Sequence, residues 1–174
     1  MKKLTSAISE QHKDLFQWFL LHQEALLLNE DDLALASWRA FAEGLKAHIH
    51  IENALLFSDD YFQHDTWRWP ANIYRKEHEK ILKLLTVLTS REESYAKLTG
   101  RIKRLALLEL LESQVQLRHV VEHHEEREEM DALTQLVLLD GVNENDVMHA
   151  WQAAQEWQLN HAALLQDLKQ RFAE

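Results

Sequence analysis

Apolar residues recur along most of this chain at alternating steps of three and four, the spacing that lines them up on one side of an α-helix. The most regular stripe is Trp38, Phe41, Leu45, His48, Glu52 and Leu55, on a helix predicted to begin near "NEDD", whose acidic residues suit a helix N-terminus. Ahead of it, Ile8, Leu15, Phe16, Phe19, Leu26 and Leu27 form the apolar side of a helix predicted from about Ser9 to Leu28, with Ser6 or Ser9 as N-cap and His12 within that side. The segment "SDDYFQHDTWRWP" breaks the period, and Pro70 suits the first turn of a third helix reaching about Thr89, with the stripe Tyr74, His78, Ile81, Leu85 and Leu88. After the polar connection "SREES", a fourth helix is predicted to start between Tyr95 and Arg101 and to run to about Leu139, where "DGVN" stops it. Leu110, Leu117, Val121, His124 and Glu128 share one side of it. A fifth, from about Glu144 to Phe172, carries Val147, Trp151, Ala154, Leu165, Leu168 and Phe172 on one side, with Gln158 and His161 making the middle of that side polar.

Composition narrows this picture to one class. Three glycines and a single proline in 174 residues leave little material for strands and turns, so the expected fold is all-α, a single domain over residues 1–174. No run approaches the ~20 apolar residues of a membrane span, and "MKKLTSAISEQHKD" lacks the apolar stretch of a secretory signal, so a cytoplasmic location with no membrane partner is expected. A formal net charge of −10 argues against nucleic acid as a partner, since phosphate neutralisation needs a basic surface. Without cysteine, any metal must be held by nitrogen and oxygen.

The eleven histidines change the reading because of where they fall. Burying a histidine or an ionised glutamate on an apolar stripe costs stability unless a partner satisfies it, and a metal ion is such a partner. Four predicted helices each place a histidine on the inward side, His12, His48, His78 and His124, and two add a glutamate one turn later, Glu52 and Glu128. Converging, these six side chains would make a nitrogen-and-oxygen site for two metal ions, for which imidazole and bridging carboxylate favour iron, while other divalent metals fit the same donors. The plainer alternatives are a core-edge histidine bonded to a backbone carbonyl, for His12 and His78, and an exposed ion pair of four-residue spacing, for His48 with Glu52 and His124 with Glu128. A helical scaffold without metal would have to find other partners for all six. In "EHHEE" the period favours His124, which shares the side of Val121 and Leu117, over His123. His50, His119, His22, His64 and His149 read as surface residues, His64 lying in the long connection from which it could approach a metal as a lid, and His161 as a hydrogen-bonded core-edge residue. Tyr74, one turn before His78, is a packing residue or, as a hypothesis, a ligand to iron or a hydrogen-bond donor to bound oxygen.

"AHIHIENALLF" resembles the His-x-x-x-Glu signature of hemerythrin-like proteins, the HHE cation-binding domains, and "HHEEREEMDAL" is similar to its second copy. "EQHKDLF" and "YRKEHEKILKLL" resemble the family's first-helix and third-helix histidine segments, so the resemblance covers about residues 8 to 139. It implies an antiparallel four-helix bundle over 8–139 with an additional C-terminal helix over 143–173, and a non-heme di-iron site, oxo- or hydroxo-bridged, with Glu52 and Glu128 bridging the two irons. It implies a small-molecule partner such as oxygen, peroxide or nitric oxide. Two departures are visible: the positions one turn from His78 are Tyr74 and Leu82 rather than a second histidine, and Glu128 stands four residues after His124 where oxygen carriers space an aspartate five after its histidine. A less fully ligated iron favours reaction or sensing over reversible carriage. The expected function is therefore a di-iron protein that binds, senses or reacts with such a molecule; the alternative is a non-catalytic metal-binding or protein-interaction module signalling through its C-terminal helix, whose stripe would close the bundle or join a homodimer.

Overall fold

The computed structural model describes residues 2–154 and 170. The chain is all-α in class: α1 (Lys2–Leu28), α2 (Asp31–Leu55), α3 (Ala71–Tyr95), α4 (Gly100–Met130) and α5 (Glu144–Ala154), with two short strands, β1 (Phe62–Gln63) and β2 (Val137–Leu138). Each of the first four helices packs against two of the others, α1 on α2 and α4, α3 on α2 and α4, while α5 lies against α2. Among the described residues, no helix is long and apolar enough to cross a membrane.

The stripes of α2 and α3 are buried along their whole length, whereas α1 departs from expectation. It begins at Lys2, so Ser6 and Ser9 lie inside the helix rather than capping it, because Leu4 and Ile8 are covered by Ile51, Leu55, Val147 and Trp151 and the helix persists to reach that cover. Phe16 and Leu27 face outward instead of inward, and Trp18, Leu21 and Ala25 take the buried side. The α1–α2 corner is tight: Asn29 sits at φ 62°, its N–H bonds to Leu26 O and that of Glu30 to Ala25 O, the six-to-one closure of a Schellman motif. Asparagine tolerates this left-handed backbone better than most side chains.

"SREES" is not a connection but the last turns of α3. Glu92 points inward there and is 2% exposed; His22 Nε2 lies 2.9 Å from it and the Gln114 amide donates to it, while His22 Nδ1 donates to Ala34 O at 2.8 Å. His22 is thus a buried, fully bonded residue and not a surface one. Its partners lie on α2, α3 and α4, which a single helical period cannot reveal. Likewise α4 stops at Met130, well before Leu139. Asp131 turns inward, where its carboxylate accepts bonds from the Arg68 and Trp69 backbone N–H groups, the Tyr74 hydroxyl and the Gln135 amide. That anchor diverts the chain into a 3-10 turn and β2, which pairs antiparallel with β1, Phe62 opposite Leu138.

On α5, Val147 and Trp151 are fully buried against the cluster containing Leu4, Ile8 and Leu55. The remaining stripe positions, Gln158, His161, Leu165, Leu168 and Phe172, lie outside the described residues. Two apolar clusters dominate the core, one around Trp38, Phe41 and Leu85, the other around Leu55, Phe57 and Trp151. Each fully buried large side chain contributes roughly 1.5–3 kcal/mol. The layer between them, where His12, His48, His78 and His124 stand, is polar.

Candidate metal centre

Helical spacing carries inward polar groups from all four helices into that layer, one each from α1 and α3 and two each from α2 and α4: His12 follows Ile8 by one turn, His48 and Glu52 continue the Trp38–Leu45 stripe, His78 sits between Tyr74 and Ile81, and His124 and Glu128 lie two and three turns beyond Leu117. All six are at most 4% exposed. Ligand atoms of His12, His48, Glu52 and Glu128 lie within 4.8 Å of one another, as do those of Glu52, His78 and His124. Glu52 belongs to both groups. Its Oε1 is 2.9 Å from His48 Nε2 and its Oε2 is 3.3 Å from His78 Nε2, while Glu128 Oε2 stands 3.6 Å from His12 Nε2 and 3.7 Å from His124 Nε2. Both carboxylates therefore lie between two histidine pairs, with Nε2 to Nε2 separations of 3.0 Å for His12 with His48 and 2.8 Å for His78 with His124.

The outward ring nitrogens explain why these inward ones are special. His48 Nδ1 donates to Gln11 Oε1 at 3.0 Å, His78 Nδ1 to Asn53 Oδ1 at 2.9 Å, His124 Nδ1 to Glu77 Oε2 at 3.2 Å, and His12 Nδ1 to Glu129 Oε1 at 2.9 Å. Each acceptor is the chain neighbour of an inward group on the adjacent helix: Gln11 beside His12, Asn53 beside Glu52, Glu77 beside His78, Glu129 beside Glu128. A residue one position from an inward side chain is turned about 100° sideways, toward the next helix, so the four helices orient one another's histidines in a closed ring. With the proton on Nδ1, every neutral imidazole presents a lone pair at Nε2. The interior then holds four nitrogen and four oxygen acceptors and no donor of its own; none of the four carboxylate oxygens of Glu52 and Glu128 has a hydrogen-bond partner. Such a set requires a cation, whether metal ion or proton.

Without a metal, protons must fill that need, and the site's electrostatics show the cost. Burial works to raise Glu52, but His48, His12 and His124 outweigh it and hold the carboxyl well below its usual range. Glu128 is pushed well up, first by burial and then by the charge of Glu52. His48 and His78 are pushed down by burial, while Glu129, Glu52 and Glu128 overcome burial to hold His12 well above the ordinary imidazole range. Glu125, beside the site, is pushed up to about 7, mainly by burial. These buried histidines and glutamates can hold a metal ion, and their oriented nitrogens and orphaned oxygens fit one.

Other candidates lie elsewhere. His123 is exposed and faces Glu126. His50, His119 and His149 are exposed too. His64 is half-buried, donates Nε2 to Leu56 O and packs 4.4 Å from Trp67, so it closes the connection onto its own helix end. Tyr74 gives its hydroxyl to Asp131 Oδ2 at 2.9 Å and stacks on Phe57; burial and Asp131 hold the phenol well above its usual range. Sequence reasoning missed the outer acceptors Gln11, Asn53, Glu77 and Glu129. The signal was present as a polar residue immediately beside one candidate ligand on each of the four helices.

Truncating an outer acceptor should loosen the ligand it orients without unfolding the chain. Gln11→Ala and Asn53→Ala are each expected to weaken metal binding about 10–100-fold, measured by competition with a chelator of known affinity, with the helical circular dichroism unchanged. Comparison with models of protein families, with curated proteins and with solved structures found no match to this chain.

Proposed function

We propose that His12, His48, Glu52, His78, His124 and Glu128 hold two iron ions in a hemerythrin-like four-helix bundle, and that the protein binds, senses or reacts with a small molecule such as oxygen, peroxide or nitric oxide. The observation that carries this reading is the interior built only of acceptors, with every histidine proton turned outward. Glu52 and Glu128 span the two positions, His12 and His48 serve one, His78 and His124 the other. When bound, the irons would supply Lewis acidity and one-electron redox chemistry. The chain's own part is to hold imidazoles neutral, to keep two carboxylates in reach of both positions, and to exclude bulk water behind Phe57 and Tyr74, whose buried rings pack against His78 and His124.

Imidazole and carboxylate are intermediate and hard donors, a mixture that suits iron without excluding zinc or manganese. With Glu52 and Glu128 shared, each position would have two histidines and two carboxylates from the chain, a set that leaves coordination positions for an exogenous ligand. The alternative, a non-catalytic module that reports metal occupancy to a partner, is favoured by one feature: Val147 and Trp151 of α5 bury themselves in the cluster directly flanking the site.

Metal content and iron-dependent absorption, measured after anaerobic iron loading on wild type, His48→Ala and Glu52→Ala, test the reading. About two irons per chain, lost in both variants, is the expected result. A wild type that takes up no iron overturns it. Turnover of oxygen or peroxide by the loaded protein then separates the first use from the second, for which metal-dependent association without turnover is the mark.

A further inference from the structure

Opposite its buried side, α4 carries a second regular stripe. Arg101, Leu105, Leu108, Glu112, Val115 and His119 follow one another at alternating steps of four and three, the spacing of a coiled-coil seam. All six are exposed, Leu105 by 53%, Leu108 by 59% and Val115 by 52%, and Ile102 on the edge of the stripe by 68%. Core packing explains none of them, since the buried side of this helix is Leu110, Gln114, Leu117 and His124. Scattered exposed leucines are ordinary, but apolar residues held to a heptad on the side facing away from the core mark a contact surface.

The charges on this stripe say what covers it. Arg101 and Arg104 stand at its start and Glu109 and Glu112 follow, and among the described residues no ion pair within the chain engages Arg101 or Glu112. A parallel partner of the same sequence would stack arginine on arginine. We propose that this face of α4 binds the same face of a second copy of the chain, the two helices antiparallel about a two-fold axis. In the register that sets Leu105 against the partner's Leu108, the same spacing sets Arg101 against the partner's Glu112, and symmetry repeats both layers. The apolar layers supply the association and the flanking ion pairs fix direction and register. At physiological salt the Debye length of about 8 Å screens the repulsion between two chains of net charge −10 while leaving such close pairs intact.

This face shares no residue with the metal centre, so its test is independent of the iron reading. Sedimentation equilibrium of the full chain, metal-free and metal-loaded, should show reversible dimerisation in the micromolar range, on the order of what a small interface gives. Leu108→Glu is expected to weaken association about tenfold or more. Arg101→Glu and Glu112→Arg should each weaken it, and the two together should restore it, with helical content unchanged throughout because all three side chains are exposed. A chain that stays monomeric across that range overturns the proposal, as does a dimer indifferent to Leu108→Glu or a double charge reversal no better than its worse single variant.

Discussion

Anaerobic loading with ferrous iron is expected to raise the thermal unfolding midpoint by roughly 10 °C, from about 4 kcal/mol of binding linkage at a thousandfold excess over the dissociation constant. The gain comes from replacing shared protons by metal in a pocket of acceptors, so Glu52→Ala, which removes the one side chain common to both ligand groups, should abolish it. Glu128→Gln should separate the two roles of the carboxylate by sign. It also loses the metal-dependent gain, yet its metal-free form should be more stable than wild type by about 1–3 kcal/mol at pH 8, because a neutral amide escapes the cost of an ionised carboxylate buried beside Glu52.

The pH dependence follows from the same shifts. A carboxyl whose folded value is raised contributes stability that is fully present below its unfolded value, near 4.5, and is lost as pH rises through the folded one. Glu128 is such a group, and so is Glu125, whose contribution should fade between about 4.5 and about 7. Glu52, held low, acts oppositely: its contribution is present above 4.5 and is lost as pH falls through its depressed value. His48 and His78, held low, add stability as pH rises to about 6.5 and so oppose Glu125 and Glu128 below that value. Above it the raised His12 and Glu128 act unopposed and the metal-free protein should lose stability, while metal affinity climbs as the ligands shed protons. Urea unfolding of both forms at pH 5, 6, 7 and 8 checks this; parallel curves for the two forms would contradict it.

Asp131→Ala is expected to cost roughly 3–5 kcal/mol while leaving the iron stoichiometry unchanged. The Asp131 carboxylate is 3% exposed and is the shared acceptor for the Tyr74 hydroxyl and the backbone N–H groups of Arg68 and Trp69. Removing it strands several buried donors at once and releases the connection that covers Phe57 and His78. Urea denaturation with metal analysis on the same samples gives both numbers. Loss of iron with unchanged stability would mean that the Tyr74–Asp131 pair serves the metal rather than the fold.

Much of this was legible in one dimension. Helix class, the inward stripes of α2 and α3, and the six polar residues that converge follow from a period near 3.6, because a side chain's direction on a helix is fixed by its place in the chain. His124 over His123 was decided by the same period. What periodicity could not supply was any bond that runs between helices. His22 looks like an isolated surface histidine in sequence, but it is buried because Glu92 and Gln114 reach it from two other helices. The end of α4 and the start of α1 were misplaced for a related reason: Asp131 and Leu4 are set by partners far along the chain, and tertiary contacts outweigh the few tenths of a kcal/mol by which local propensities differ.

The ring of outer acceptors marks the boundary between the two kinds of information. Sequence determined that Gln11, Asn53, Glu77 and Glu129 stand beside inward residues. Only the packing of α1 to α4 decided that each would meet the histidine of the neighbouring helix, since an imidazole's tautomer depends on what its outer nitrogen touches, and that is a property of two helices together.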